Sequence, residues 1–346
     1  MLKVAVVGSS GYAGGELLRI LLGHKEVEVV AVTSEKSAGQ HIASLFPHLG
    51  RLCNLTLEKL DPTALANKAD FIFLAVPHKE AMQPAAQFVG IGKRLVDLSA
   101  DFRFKDTRIY NEWYDVEHEQ PGVAYMAAYG LTELNREEIK EARIVGNPGC
   151  YPTGAILALM PLVKEGLIEL DSVIVDSKSG VSGAGRTPGQ AYHYPEANES
   201  IMAYKIGVHR HTPEIEQALS IAANTPVMVS FTPHLTPMNR GILTTCYAKL
   251  KDITGPDTLL KLYAKHYKDS FFVRILGKGN YPSVSSVRGS NFCDIGLYSD
   301  LRTRRVVVVS AIDNLVKGAA GQAVQNMNVM LGFDETEGLK HLGMFP

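Results

Sequence analysis

Short apolar runs alternate with helical patterns over the first 150 residues of the chain. Between the first two runs, Tyr12–Gly23 shows helical spacing with leucines along one side. The runs that predict buried strands are Lys3–Val7, Val27–Thr33, Phe71–Val76, Arg94–Leu98 and Arg143–Val145. Continuous apolar strands that alternate with helices are typical of a parallel sheet covered on both faces, so this part predicts an α/β domain.

The pattern changes near residues 147–150, where we expect a domain boundary. The later strands alternate apolar and polar residues, as in a sheet with one face on helices and the other exposed or at an interface. They are predicted at Ser172–Asp176, Pro226–Thr232, Ile242–Lys249, Asn291–Ser299 and Arg305–Ile312. Helices are predicted at Pro213–Ala223, Pro256–Tyr267 and Leu315–Met330, the last rich in small residues that permit close packing.

Composition narrows the class of protein. The 346 residues suggest two domains at about 150 residues each. The 35 Lys and Arg balance 36 Asp and Glu, which argues against a nucleic-acid partner because phosphate neutralisation needs a basic excess. No apolar run approaches the ~20 residues of a membrane span, and four cysteines without paired spacing argue against disulfides or a metal site. We expect a cytoplasmic protein.

A glycine-rich loop follows the first strand and opens a helix. It reads GSSGYAG from Gly8 to Gly14, a G-x-x-G-x-x-G spacing rather than the commoner G-x-G-x-x-G. Glycines let the backbone approach a pyrophosphate, and a helix N-terminus offers N–H groups and a positive dipole end. The alternative is a plain glycine turn, but the position between two strands favours a dinucleotide site.

The turn after the second strand bears on the choice of cofactor. An NAD site usually places an acidic residue there to hold the ribose 2′-hydroxyl. Here Glu35 is late by that count and lies between Ser34, Lys36 and Ser37. Two hydroxyls and an ammonium suit a 2′-phosphate, so we expect NADP; the alternative is an exposed polar turn.

Cys150 lies in a turn bracketed by Gly and Pro, just before an apolar helical run. A helix dipole stabilises a thiolate at that position and lowers the pKa of the thiol toward the reactive range. The other cysteines lie in apolar or strand patterns and are interpreted as small buried residues. Cys150 is therefore the predicted nucleophile.

Two histidines, His209 and His211, precede a helix that we expect Thr212 to cap and Pro213 to begin. Acyl transfer needs a partner that exchanges protons near neutral pH, and histidine does this. At least one of the two is open to a purely structural interpretation. Two further loops, Asp97–Arg103 and Ser179–Arg186, carry arginines that suit an anion, or else form ordinary surface ion pairs.

Taken together, several motifs resemble the N-acetyl-γ-glutamyl-phosphate reductase family, relatives of aspartate-semialdehyde dehydrogenase. The resemblance runs from about residue 2 to about residue 334. It rests on GSSGYAGGELLRIL, DLSADFR, NPGCYPT, SGVSGAGR, VHRHTPEIEQ, LTPMNRGI, GSNFCDIG and DNLVKGAAGQA. At the nucleophile Gly149 precedes Cys150, where the aspartate relatives carry an Asn-Cys pair.

The resemblance implies a fold, an activity and a set of site residues. The implied α/β fold has a Rossmann-type parallel sheet domain over residues 1–148, completed by a C-terminal helix in 315–346. A second, α+β domain over residues 149–314 has a mixed, largely antiparallel sheet and serves catalysis and oligomerisation. Cys150 is the implied nucleophile, and the His209/His211 pair the acid/base. Cofactor contacts fall on Gly8, Ser10, Gly11, Tyr12, Ala13, Gly14, Ser34, Lys36, Ser37, Pro77, Ser182, Gly183, Gly185 and Asn314.

The implied reaction is NADPH-dependent reduction of an acyl phosphate through a thioester, in arginine biosynthesis. We expect substrate contacts from Ser99, Arg103, Asn147 and Arg186, a small-molecule acyl-phosphate substrate, and a homo-oligomer, dimer or tetramer. Two alternatives stay open: an aspartate-semialdehyde dehydrogenase-type enzyme, and a non-catalytic NADP-binding sensor that kept the fold.

Overall fold

The computed structural model describes residues 1–346, which group into two units: 1–148 with 319–340, and 149–318 with 341–346. The expected bounds kept 315–346 together, so the grouping differs at both ends of that segment. Gly318 packs on Cys150, where an added Cβ would lie 2.8 Å from the Cys150 Cβ. The Met344 N–H donates to the Arg288 carbonyl oxygen at 2.7 Å. None of the helices has both the length and the apolar character needed to cross a membrane.

The first unit is built on a six-stranded sheet whose paired strands are all parallel. The strand order is β2-β1-β3-β4-β6-β5. The strands are β1 (Leu2–Val7), β2 (Val27–Val32), β3 (Phe71–Leu74), β4 (Arg94–Asp97), β5 (Ala128–Tyr129) and β6 (Ile144–Gly146). The helices before residue 148 are α1 (Tyr12–Leu21), α2 (Ile42–Leu45), α3 (Pro62–Lys68), α4 (Met82–Gly90), α5 (Thr107–Tyr114), α6 (Pro121–Met126) and α7 (Thr132–Glu141). All four residues of β3 are buried, as its continuous apolar run predicts.

The second unit carries a seven-stranded mixed sheet in the order β11-β12-β13-β10-β7-β9-β8. The strands are β7 (Ile174–Gly180), β8 (Met202–Ala203), β9 (Ser230–Thr236), β10 (Ile242–Lys249), β11 (Val273–Ile275), β12 (Cys293–Asp300) and β13 (Arg305–Ile312). The helices are α8 (Cys150–Lys164), α9 (Tyr194–Ala197), α10 (Thr212–Ala223), α11 (Pro256–His266) and α12 (Val284–Val287). Four of its pairings are antiparallel and two are parallel. The predicted fold class is confirmed.

Two strands, β7 and β9, depart most from the ranges that the sequence predicts. Strand β7 covers 174–180 rather than 172–176, and β9 covers 230–236 rather than 226–232. The polar run Ser177-Lys178-Ser179 looks like a loop, but it pairs with β9 on one side and with β10 on the other. Tertiary pairing, including a 2.9 Å contact between the Ser177 and Thr244 hydroxyls, overrides the local pattern.

The last predicted helix begins later and less regularly than expected. A π-helical turn covers Val316–Ala320, and the regular helix α13 covers Gly321–Leu331 in the first unit. The Asp313 carboxylate accepts the Leu315 and Val316 N–H groups at 2.8 and 3.1 Å, and the Gly318 N–H donates to the Asp313 carbonyl oxygen. This five-residue hydrogen bond widens the turn that carries Gly318.

Candidate active site

The glycine loop of the first unit has the geometry of a phosphate cradle. Gly8 has φ +80°, and an added Cβ there would lie 2.6 Å from the Ala75 carbonyl oxygen. At Gly14 a Cβ would meet the Ser9 backbone at 2.6 Å, which lets helix α1 approach the loop closely. At Gly11, the N-cap of α1, there is open space, and no side chain caps the helix. Because no side chain caps α1, the N–H groups of its first turn suit an anion.

The predicted cofactor residues around this loop differ in their hydrogen bonds and in their exposure to solvent. The Ser10 and Ser34 hydroxyls lie 2.9 Å apart, which joins the loop to the end of β2. The Glu35 carboxylate accepts the Leu60 N–H at 2.9 Å, so it is held by the backbone of a neighbouring segment. Lys36 is exposed and Ser37 half-buried. Tyr12 and Pro77 are exposed, and Ala13 is half-buried.

Three of the predicted substrate contacts make internal hydrogen bonds: Ser99 and Arg103 follow β4, and Asn147 follows the neighbouring strand β6. The Ser99 hydroxyl donates to the Asp97 carboxyl at 2.7 Å. Arg103, only 5% exposed, donates to the Asn147 and Leu98 carbonyl oxygens at 2.7 and 3.2 Å. The Asn147 amide donates to the Ala319 carbonyl oxygen at 3.1 Å. Their role toward substrate stays a prediction.

In the second unit, Cys150 is the first residue of α8, with Gly149 as N-cap. The expected position, one residue before the helix, is thus one residue off, which is the usual uncertainty of a helix end. Cys150 is half-buried, whereas Cys53, Cys246 and Cys293 are buried. Burial raises the pKa of the Cys246 thiol well above its usual range. Only Cys150 combines access with a helix N-terminus.

The two histidines directly precede helix α10. His211 is the N-cap and Thr212 the first helical residue, one position earlier than predicted. The His209 and His211 ring centroids are 4.9 Å apart, and each packs edge-on against Tyr151, which follows Cys150 in α8. The His211 backbone N–H donates to His209 Nδ1 at 3.1 Å. The histidines therefore lie beside the start of the Cys150 helix.

His209 is electrostatically distinct. Burial, and to a lesser extent the nearby cations Lys205 and Arg210, lowers the pKa of His209 to about 4. Its Nε2 lies 3.5 Å from the Tyr204 hydroxyl oxygen, and Nδ1 already accepts a backbone N–H. The ring is therefore neutral near pH 7 and carries its proton on Nε2.

Glu214 is not among the residues predicted from the sequence, and it is completely buried in the first turn of α10. The Gly149 N–H donates to Glu214 Oε1 at 2.7 Å. The only sequence signal is a Glu three residues after His211, which is a common feature of helix starts. Gly318, a neighbour of Cys150 in the structure, is likewise absent from the predicted site, since it lies 168 positions away along the chain.

The remaining predicted contacts form a second loop cluster in this unit. Asn314 accepts the Gly241 N–H at 2.7 Å and donates to the Ser182 hydroxyl at 2.9 Å. Ser182 and Gly183 form a 3-10 turn at the end of β7, Gly185 follows it, and Arg186 is exposed. No three His, Cys, Asp or Glu side chains are grouped so that they could hold a metal ion.

Comparison with known proteins covers both units. The semialdehyde dehydrogenase NAD binding domain matches residues 3–142, and the semialdehyde dehydrogenase dimerisation domain matches residues 150–314. Among solved structures, aspartate semialdehyde dehydrogenase II from Vibrio cholerae has a TM-score of 0.73 at 16% identity, covering 96% of this chain and 99% of that one. The Candida albicans enzyme, solved with NADP, has a TM-score of 0.71 at 16% identity, covering 96% and 98%. These likenesses show the fold.

Curated relatives are far more similar. The N-acetyl-gamma-glutamyl-phosphate reductase of Geobacter metallireducens is 57% identical over 347 residues, and that of Geotalea daltonii is 55% identical over 347 residues. In both cases the alignment covers 100% of this chain and 100% of the relative. The chain belongs to the N-acetyl-γ-glutamyl-phosphate reductase family.

Proposed function

We propose that the protein reduces N-acetyl-γ-glutamyl phosphate to N-acetyl-L-glutamate 5-semialdehyde and phosphate with NADPH, as a step of arginine biosynthesis. The family relationship supports this substrate. The observation that carries the chemistry is the meeting of two helix starts, one with the half-buried Cys150 and the other with His209 and His211. A non-catalytic NADP-binding sensor would have no need of an accessible cysteine beside histidines.

The glycine loop fits a dinucleotide. A Cβ at Gly8 or Gly14 would collide with backbone, whereas the space at Gly11 is open, which suits a pyrophosphate on the N-terminus of α1. We propose that the cofactor is held by Gly8, Ser10, Gly11, Tyr12, Ala13, Gly14 and Pro77. Cofactor contacts of the second unit stay predictions, at Ser182, Gly183, Gly185 and Asn314. A bound nicotinamide supplies the hydride for the reduction.

The second-strand turn supports NADP over NAD. Glu35 Oε1 accepts the Leu60 N–H, which holds the carboxylate toward that neighbouring segment and competes with its binding of a ribose hydroxyl. The turn also offers three hydrogen-bond donors that a 2′-phosphate would accept, on Ser34, Lys36 and Ser37.

Cys150 would perform the acyl transfer. Its thiolate attacks the acyl carbon, the bond from that carbon to the phosphate oxygen breaks, and phosphate leaves a thioester on Sγ. N–H groups of the first turn of α8 are positioned to hold the developing oxyanion. After reduction, the hemithioacetal alkoxide expels the thiolate and releases the aldehyde.

His211 is the better candidate for the proton carrier. His209 is neutral near pH 7 because its pKa is lowered to about 4, and its Nδ1 is already an acceptor. His209 instead holds the backbone of His211. We propose that His211 takes the thiol proton of Cys150 and returns it when the thiolate leaves. Ser99, Arg103, Asn147 and Arg186 stay predictions as substrate contacts.

We further propose that two copies associate through the second sheet. Helix α8 covers one face of β10 and β13, while Tyr247, Val307 and Val309 on the other face are only half-buried. Tyr247 pairs directly with Val307 across the two strands, so these side chains form one apolar patch. The family description of this part of the chain as a dimerisation domain supports a second copy as the occupant.

The decisive experiment is NADP⁺ reduction with N-acetylglutamate 5-semialdehyde in the presence and absence of phosphate. We expect phosphate-dependent turnover, little with aspartate semialdehyde, and none for Cys150→Ser, because a serine hydroxyl is far less ionised at neutral pH. NADPH binding should survive in Cys150→Ser. Residual Cys150→Ser activity within about tenfold of wild type would exclude the covalent route, since tenfold is only ~1.4 kcal/mol of barrier.

A further inference from the structure

One buried carboxyl group joins the two helix starts of the proposed active site. Glu214, in the first turn of α10, accepts the backbone N–H of Gly149 at 2.7 Å. Gly149 is the N-cap of α8 and has no side chain of its own to cap the helix. Its carbonyl oxygen in turn accepts the N–H of Thr153 at 3.0 Å and the Thr153 hydroxyl at 2.9 Å. The residue before the nucleophile is thus held on both sides.

Glu214 also lies one helical turn after His211. Residues three apart lie on the same side of a helix, so the carboxyl group and His211 face the same region. Helices α8 and α10 pack against each other, and this bond joins their N-terminal ends. A single hydrogen bond thereby links the backbone that carries Cys150 to the helix that begins at the proposed proton carrier.

Burial makes this bond effective. Glu214 is completely buried, so water does not readily replace its carboxyl oxygen as the acceptor of the Gly149 N–H. Loss of the carboxyl group would therefore take a hydrogen-bond acceptor from a buried N–H group. Position errors of about an ångström at a nucleophile are costly to a reaction that depends on near-attack geometry.

We propose that Glu214 is a positioning residue for Cys150: its carboxyl oxygen fixes the Gly149 peptide and so orients Sγ and the N–H groups of the first turn of α8. This inference rests on the proposed function. Glu214 has no assigned contact with substrate, and its effect passes through the backbone of Gly149. The acceptor oxygen is the required feature.

Two variants separate the hydrogen bond from the acidic group. Glu214→Gln keeps an acceptor oxygen at the same reach, whereas Glu214→Ala removes it. Glu216→Ala is the matched control, because Glu216 on the same helix makes the same kind of bond, to the Val229 N–H at 3.0 Å, away from Cys150. The measurements are kcat and KM for the acyl phosphate, the rate of Cys150 alkylation by iodoacetamide between pH 6 and 9, and the melting temperature.

We expect Glu214→Ala to lower kcat at least roughly tenfold relative to Glu214→Gln, with KM within about threefold, because Glu214 acts on the geometry of attack and has no assigned contact with substrate. Alkylation of Cys150 should likewise be slower in Glu214→Ala than in Glu214→Gln. Cys150→Ser measures the background alkylation of the other cysteines. Glu216→Ala should lower the melting temperature less than Glu214→Ala, because Glu216 is only half-buried, and should leave kcat and alkylation near wild type.

Two outcomes overturn the proposal. If Glu214→Gln and Glu214→Ala lower kcat and the alkylation rate equally, the acidic group itself is needed. If Glu216→Ala lowers both as much as Glu214→Ala does, the effect is a general one on stability. If the wild type does not turn over the acyl phosphate, the proposed function fails. The alkylation rates then still decide the role of Glu214, since they need no substrate.

Discussion

His209 and His211 stand two residues apart but have different chemical surroundings. The buried ring of His209 has a pKa lowered to about 4, while His211 occupies the N-cap position of α10. We expect His211→Asn to lower kcat on the order of 10² to 10⁴ fold, the usual contribution of a general acid/base, and His209→Asn to cost less. Steady-state rates of the two variants at pH 7 measure this. The reverse order would make His209 the proton carrier.

Lys36 is the residue on which the choice of cofactor depends. Its exposed ammonium can meet a 2′-phosphate, while Glu35 is bonded to Leu60. A charge-assisted contact contributes about 1–3 kcal/mol, so Lys36→Ala should raise the KM for NADPH roughly 5- to 150-fold and leave NADH kinetics almost unchanged. Equal losses with both cofactors would mean that Lys36 supports the fold. A wild type that prefers NADH would show the NADP assignment to be wrong.

At the scale of elements, the carboxyl end of β4 carries Asp97, a carboxyl group with a strongly raised pKa. Burial, and then the nearby Asp101 carboxylate, raises the pKa of Asp97 to about 7, against the hydrogen bonds from Ser99. The folded state therefore holds a proton that the unfolded chain releases near pH 4. Stability from this group is complete below about pH 4 and is lost as the pH rises to about 7.

Asp97→Asn should remove this component of the pH dependence. Between pH 5 and pH 8 the melting temperature of wild type should fall relative to that of Asp97→Asn, which keeps an acceptor and a donor for Ser99. Asp334→Asn is the control, because its neighbours lower the pKa of Asp334 and it does not titrate in this window. If the melting temperatures of wild type and Asp97→Asn change with pH in the same way, the raised pKa of Asp97 is contradicted.

Elements with a strong local pattern were predicted well. The apolar run of β3 and the alternation of β10 appear as strands at nearly the expected positions. Strand β7 was misplaced because Ser177, Lys178 and Ser179 have no local strand preference and are held by β9 and β10. Register depends on partners distant in sequence, which no local window contains.

For the whole molecule, the patch formed by Tyr247, Val307 and Val309 makes a prediction about association. Val309→Arg places a charge in the proposed interface, whose desolvation opposes pairing. We expect the mass in light scattering to fall toward that of one chain, while circular dichroism stays unchanged. Ile253→Arg, at a residue 67% exposed, is the control and should keep the wild-type mass. An unchanged mass for Val309→Arg would place the contact elsewhere.

The sequence by itself determined the fold class, the glycine loop and the candidate nucleophile. These features are local: buried strands and helix starts have signatures within a few residues, and Cys150 stands in one of them. Tertiary structure alone decided which groups surround that cysteine. Glu214 and Gly318 lie 64 and 168 positions away from it, and they were brought to the start of α8 by helix packing and by a widened turn. Long-range packing therefore holds the site together, because hydrogen bonds and close contacts depend on distance in space rather than along the chain.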